Sequence, residues 1–275
     1  MPEGDTIFRA AAALHRALAG QVIVRFDTAL AHLARVHDDT PVTGRVVEKC
    51  ESVGKHLLIW FSGDLILRTH MRMSGSWHLY RPGEAWQRPA RDMRVRLDSD
   101  PWVAVAFTVP VAEFLRSRDL PRNRALAPLG PDLLSPTLDR DEARRRLAAA
   151  GTRPIAEAIL DQRVVAGIGN VFKSEVLFLA GIHPDRAAAA LTDLERAAIL
   201  DVAIPAMRAN TGPGAAEGIV TYRGLRRTTR RARPEDNVWV YGRAGKPCRR
   251  CGTAIESARR GIDARPTFWC PRCQK

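Results

Sequence analysis

The spacing of apolar positions changes along this chain, and those changes divide it. Ile7, Ala11, Leu14 and Leu18 recur at helical spacing, and Gly20 follows as a left-handed cap. The pattern predicts a helix over 5–19 that holds the start of the chain rigidly. Short apolar runs then take over. Residues 57–61 and 65–67 flank Ser62-Gly63-Asp64 as a hairpin, and 93–97 and 102–107 flank Asp98-Ser99-Asp100-Pro101 as a second. Strands at this spacing predict an antiparallel sandwich or barrel. Residues 128–136 are rich in Pro and Gly and read as a domain linker. Beyond them the period is helical again. Helices are expected over 139–150, 154–161, 171–180 and 192–210, the last kinked or ended by Pro205.

With 275 residues, 45% of them hydrophobic, the chain suits about two globular domains rather than disorder. Its net charge of +13 implies a polyanionic partner, or else a solvated positive face. Arg223, Arg226, Arg227, Arg230, Arg231 and Arg233 crowd into one stretch, a basic loop that either contacts DNA or is merely solvated. The strongest apolar run, 57–61, is too short for a membrane span, and 10–14 is too short for a secretory core. A cytoplasmic protein is therefore expected. A reducing compartment also suits five cysteines, four of them closely paired.

Those pairs carry the strongest local chemistry. Cys248-Arg-Arg-Cys251 and Cys270-Pro-Arg-Cys273 have the two-knuckle spacing of a tetrahedral four-cysteine Zn²⁺ site. The residues between them should form a hairpin presenting Arg259, Arg260 and Arg265. Cys50 reads as an ordinary half-buried strand residue, and the seven histidines show no ligand spacing. At the other end, removal of Met1 would expose Pro2 as a secondary amine. An α-amino group titrates near about 8, against about 10.4 for lysine, so at neutral pH it is far more often free to attack a carbonyl carbon. Glu3 beside it can move protons. Two further features are open to two readings each. Lys55, in Val53-Gly54-Lys55-His56, is a working loop residue or a plain exposed lysine. Val165-Ala-Gly-Ile-Gly-Asn170 is an anion site at a helix N-terminus, suited to a DNA phosphate, or a tight helix-packing turn.

Together the Pro-Glu-Gly start, Lys55, Gly167-Ile-Gly-Asn170 and Arg265-Pro-Thr-Phe-Trp-Cys-Pro-Arg-Cys-Gln resemble the formamidopyrimidine-DNA glycosylase/endonuclease VIII family, in order over essentially the whole chain. The resemblance implies an α+β protein in three parts. These are an N-terminal antiparallel β-sandwich with the catalytic helix (1–127), a helix–two-turn–helix DNA-binding domain (137–222) and a zinc finger (236–275). It implies a bifunctional DNA glycosylase and abasic-site lyase acting on damaged double-stranded DNA, as a monomer with one structural Zn²⁺. Pro2 would form the imine at C1′ and Glu3 would assist base release. Lys55 and Arg265 would serve the phosphates and the eliminations, and Asn170 would add a phosphate contact. Arg72 and Met73, in His70-Met-Arg-Met-Ser-Gly75, would reach the DNA, with Met73 filling the emptied stack or else lying in the core.

The chain departs from the family pattern in two places. Asp5 and Thr6 stand where several members have a second Glu. Residues 107–114 lack the Arg-Arg-Phe-Gly fillers of the 8-oxoguanine branch. The Pro-Glu-Gly start, Gly130-Pro-Asp-Leu-Leu134 and the Arg265 tip are similar instead to the endonuclease VIII branch, so oxidised pyrimidines are the expected substrates. An 8-oxoguanine-type glycosylase, a non-catalytic damaged-DNA binder and an unrelated zinc-ribbon protein of transcription or translation are the alternatives.

Overall fold

The helical period at the start of the chain produces α1, Gly4–Leu18, which buries Ile7, Ala11, Leu14 and Leu18. The structure is a computed structural model that describes residues 2–212, 219–222 and 234–275. The arginine-rich stretch 223–233 therefore lies outside the described residues, as does Met1. After α1 come β1 (Arg25–Thr28), α2 (Ala31–Asp39), β2 (Val47–Val53), β3 (His56–Phe61), β4 (Leu65–His70), β5 (Ser76–Tyr80), β6 (Met93–Asp98), β7 (Val103–Phe107) and β8 (Val111–Leu115).

These strands form two four-stranded antiparallel sheets, ordered β1-β6-β7-β5 and β2-β3-β4-β8. Both expected hairpins are present. One closes at Phe61 opposite Leu65, the other at Asp98 opposite Val103. Leu57, Ile59, Phe61 and Leu67 from one sheet share a core with Val95, Leu97, Ala104 and Ala106 from the other, and α1 packs into it. Truncating Leu57, Ile59, Phe61, Leu67 or Leu97 to Ala costs about 2–5 kcal/mol. β7 shows the period of two directly. Ala104 and Ala106 face that core, while Val103, Val105 and Phe107 join Tyr80 in a second cluster on the opposite face. The extent of β2 is not visible in the sequence, because Val-Glu-Lys-Cys-Glu-Ser-Val buries only Val47 and Cys50. Cys50 is a strand residue as expected, but buried rather than half-buried, and burial pushes its thiol up to about 12.

The chain divides after Pro128. Pro2 and Thr6–Pro128 form one unit, and Glu3–Asp5 with Leu129–Lys275 form the other. The boundary falls where the breakers do, yet the residues after it are packed rather than loose. Leu133 and Leu134 are buried, and the Gly130 amide donates to the Gln162 carbonyl at 2.8 Å. A Cβ on Gly130 would strike the Val164 carbonyl.

The second unit contains α3 (Arg140–Ala149), α4 (Ile155–Ala158), α5 (Asn170–Ala180), α6 (Asp193–Arg208) and the antiparallel hairpin of β9 (Glu256–Arg260) and β10 (Arg265–Trp269). Asp139 caps α3 by accepting from the Glu142 amide, and Thr192 and Glu195 cap α6 reciprocally. Gly181, at φ +74°, ends α5. α4 is a single turn rather than the longer helix expected. α6 continues three residues past Pro205, whose carbonyl still accepts from the Ala209 amide at 2.9 Å. Proline near a helix end removes one donor without ending the helix.

Candidate active site and metal centre

In the second unit the first residues of the chain are built into the N-terminus of α5. Glu3 is 0% exposed. Its Oε2 accepts from the amides of Gly169 (3.0 Å) and Phe172 (3.2 Å), and its Oε1 from that of Val171 (2.7 Å). An α-helix leaves its first N–H groups unpaired and carries partial positive charge there, so a carboxylate fits. The anion site expected here for a DNA phosphate therefore exists, but Glu3 fills it. The glycines explain how. A Cβ on Gly169 would run into the Glu3 carboxylate. Gly4 donates to the Gly167 carbonyl at 2.9 Å, and a Cβ on Gly4 would lie 2.8 Å from Gly167 Cα. Gly167 sits at φ +107°, which other residues rarely adopt. Pro2, the preceding residue, is half-buried.

One turn into α5 the same helix grips the finger strand. Asn170 is buried, with Nδ2 donating to the Pro266 carbonyl at 3.0 Å. Lys173, 1% exposed, donates through Nζ to Asn170 Oδ1 (2.6 Å), Thr267 Oγ1 (2.8 Å) and the Pro266 carbonyl (3.1 Å). All three ammonium hydrogens are used. Burial pushes this lysine down to about 8 against the pull of the Glu3 carboxylate. The next residue of the strand, Arg265, opens β10, lies 3.5 Å from Asp263 and lines a recess of about 290 Å³ with Lys173, Arg153 and Glu157. Arg260, expected at the tip, instead grips Asp185 with two bonds of 2.6 and 2.7 Å. The extreme tip is Ile262.

The four paired cysteines converge. All four Sγ atoms lie within 4.8 Å of one another, with Cys251 to Cys270 at 3.5 Å and Cys248 to Cys273 at 3.9 Å. Sulfurs about 2.3 Å from a tetrahedral zinc stand about 3.8 Å apart, so the donor set fits that ion. Cys248 and Cys270 pack with Phe178 of α5 and Val240. The Glu175 carboxylate, also buried on α5, accepts from the amides of Trp239 (2.7 Å), Val240 (2.9 Å) and Tyr241 (2.9 Å) just before the first knuckle.

In the first unit, Lys55 lies in the tight turn between β2 and β3, after Gly54 at φ +59°. Arg72 and Met73 lie in the loop between β4 and β5. Met73 is 61% exposed, whereas Met71 is 2% exposed and part of the core, so the methionine expected to reach outward does so. Lys55 and Arg72 come from separate loops, yet both are close enough to His70 to help burial push its pKa down to about 4. His56, ring to ring with His70 at 4.7 Å, is pushed down to about 3, first by burial and then by the charges around it. Both rings stay neutral beside the cations.

Sequence reasoning passed over Lys173, Glu175 and this histidine pair. The i, i+3 spacing of Asn170 and Lys173 was the one available sign for the first. Nothing local marks the other two.

Comparison with known proteins agrees with the assembled parts. Residues 1–110 match the formamidopyrimidine-DNA glycosylase N-terminal domain and 129–216 the formamidopyrimidine-DNA glycosylase H2TH (helix–two-turn–helix) domain. Residues 245–275 match the zinc finger found in FPG and IleRS. A probable endonuclease 8 2 of Streptomyces coelicolor is 42% identical over 277 residues, covering 100% of this chain and 94% of the relative. The DNA-(apurinic or apyrimidinic site) lyase Nei2 of Mycolicibacterium smegmatis is 39% identical, covering 100% and 99%. Lactococcus lactis Fpg, solved with DNA containing an abasic site, shares the fold at TM-score 0.80 and 23% identity over 100% of both chains. Full-length identity at this level, joined to a Pro-Glu-Gly start seated on a helix N-terminus and a four-cysteine finger, places the chain in the formamidopyrimidine-DNA glycosylase/endonuclease VIII family.

Proposed function

We propose that this protein is a bifunctional DNA glycosylase and abasic-site lyase of base excision repair, with Pro2 as nucleophile once Met1 is removed. The observation that carries this reading is the seating of Glu3 on three α5 amides, which fixes the residue next to Pro2 to within hydrogen-bond tolerance. A loose terminus would lose the advantage of a held nucleophile. The Pro2 nitrogen attacks C1′ of the damaged nucleotide. Glu3, already an acceptor, takes the proton the amine sheds and passes it to the departing base or sugar oxygen. The ring opens to an iminium between Pro2 and C1′. Loss of a C2′ proton expels the 3′ phosphate, loss of a C4′ proton then expels the 5′ phosphate, and water releases Pro2.

The supporting residues divide by task. Lys55 and Arg72 supply positive charge for the phosphates flanking the lesion, and Met73 fills the gap left by the everted nucleotide, which costs a few kcal/mol to unstack. Arg265 takes a phosphate and assists δ-elimination. Asn170, whose side chain donates to the Pro266 carbonyl, adds a phosphate contact. Cys248, Cys251, Cys270 and Cys273 would hold one Zn²⁺ whose part is structural, since four protein ligands leave no position for substrate. The domain limits 1–127, 137–222 and 236–275, a monomeric state and a cytoplasmic location complete the proposal. Among the described residues no helix is long and apolar enough to cross a membrane.

For substrate we propose oxidised pyrimidines such as thymine glycol or dihydrouracil, with little demand on the opposite base. Residues 107–111 run from the buried end of β7 into β8 as Phe-Thr-Val-Pro-Val, without the arginine and Arg-Phe pair that would meet an orphaned cytosine. Borohydride should trap a protein–DNA adduct that peptide mapping places on Pro2, and matched duplexes should rank thymine glycol above 8-oxoguanine opposite cytosine. An adduct on a lysine would sink the Pro2 role. Failure to trap any adduct would leave a damaged-DNA binder, and the reverse lesion order would move the protein to the 8-oxoguanine branch.

A further inference from the structure

The loop that presents Met73 is held from behind by a residue that family resemblance does not assign. Its base is closed by the Gly75 amide donating to the Met71 carbonyl at 2.9 Å, so tight a turn that a Cβ on Gly75 would lie 2.9 Å from Met71 Cα. Arg72 sits at φ +51°, a conformation costly for a non-glycine residue, with its amide on His70 Nδ1 at 3.0 Å. Those bonds fix the start of the loop. Its far side is fixed by Arg88, whose Nη1 donates to the Ser74 carbonyl and to Ser76 Oγ, both at 3.1 Å.

Arg88 is itself aimed by a built network. Trp86 stacks on buried Tyr80 at 6.4 Å and meets Phe107 edge-on at 5.5 Å, anchoring the 81–92 segment on the outer apolar cluster. The next amide, that of Gln87, donates to the Tyr80 hydroxyl at 3.1 Å. Arginine only donates, so Ser76 Oγ accepts from it, and the same hydroxyl pairs with His78 Nε2 at 2.8 Å. His78 Nδ1 in turn pairs with the Tyr80 hydroxyl at 3.2 Å, closing the ring. Burial first, and the Arg88 charge second, lower the His78 pKa, which keeps the ring neutral beside the guanidinium.

We propose that Arg88 is a positioning residue for base eversion. It holds the Arg72-Met73-Ser74 loop rigid, so that the energy of inserting Met73 goes into opening the stack instead of ordering the loop. A wedge on a soft loop would give back part of its insertion energy as lost loop entropy. This inference rests on the reading of Met73 as the wedge.

The test compares Arg88→Ala, Arg88→Lys and Met73→Ala on a thymine-glycol duplex and on single-stranded DNA bearing a preformed abasic site. 2-Aminopurine beside the lesion reports stack opening. Arg88→Ala should slow duplex excision and stack opening at least about tenfold, the expected effect of losing two hydrogen bonds from a charged donor, and leave single-strand cleavage unchanged. Arg88→Lys, able to reach one acceptor, should fall between. The salt slope of duplex binding should not move, because the guanidinium is spent on Ser74 and Ser76 of the protein. Normal duplex excision by Arg88→Ala with slow Met73→Ala would overturn the Arg88 role and keep the wedge. Normal excision by Met73→Ala would remove the wedge itself. An equal loss on both substrates, or a salt slope reduced by about one counterion, would also overturn the proposal by making Arg88 a general fold or phosphate residue.

Discussion

Replacing Glu3 by Gln changes one heavy atom and tests how the start of the chain, where we propose the nucleophile lies, is held. The wild-type carboxylate offers acceptors on both oxygens to three amides. Glutamine offers one. If its carbonyl takes the place of Oε2, the bonds from Gly169 and Phe172 survive but lose their charge, at about 1 kcal/mol each. The Val171 amide then faces an NH2 group and is left buried without an acceptor, which costs about 1–3 kcal/mol. The local loss is about 3–5 kcal/mol. Amide exchange resolves this directly, because three named N–H groups carry the bonds. Protection at residues 169, 171 and 172 should fall about a hundredfold or more, while protection in the β-strands stays near wild type. Base excision should fall about 10²–10⁴-fold with the proton relay gone. Borohydride trapping on a preformed abasic site, which needs Pro2 but no departing base, should survive better than excision. Wild-type exchange at these three amides would refute the seating of Glu3, and undiminished excision would refute its part in the chemistry.

Three further outcomes are expected. Gly169→Ala drives a Cβ into the Glu3 carboxylate, so it should reproduce the exchange and excision losses of Glu3→Gln although no catalytic atom has changed. Cys273→Ser should lose zinc by elemental analysis and weaken DNA binding while circular dichroism still reports the β-sandwich, since metal binding supplies the folding energy of so small a segment. Lys173 predicts a pH effect. Burial lowers it from an ordinary 10.5 to about 8, so between those values the unfolded chain binds more protons and stability rises with pH. Below pH 8 the full penalty, about 3 kcal/mol, is present. Denaturation of wild type against Lys173→Met should show this rise from pH 8 to 10.5 in wild type alone, and parallel curves would refute it.

The chain's local chemistry was legible where each unit is short. Two Cys-x-x-Cys knuckles declare a metal site because each pair is set within one turn, and the fold had only to bring the pairs together. The α1 stripe, the β3–β4 hairpin and the domain boundary near Pro128 were legible for the same reason, since period and breakers act over a few residues. Met73 could be read only as wedge or core. The fold removes the core reading by turning Met71 inward and leaving Met73 exposed.

What sequence alone could not decide is where groups distant in the chain meet. Gly167-Ile-Gly-Asn170 reads as an anion site or as a tight turn, and the group that makes it the first, Glu3, stands 166 residues before Gly169, with no local pattern to link them. Lys173 and Glu175 look like the solvated charges of any helix. Only tertiary packing buries them, one against Pro266 and Thr267 and the other beneath the amides of Trp239, Val240 and Tyr241. Residue type and short spacing set what a group can do. Burial and a partner's hydrogen bonds decide whether it does it, because a charge taken out of water must find its compensation in whatever the fold places beside it.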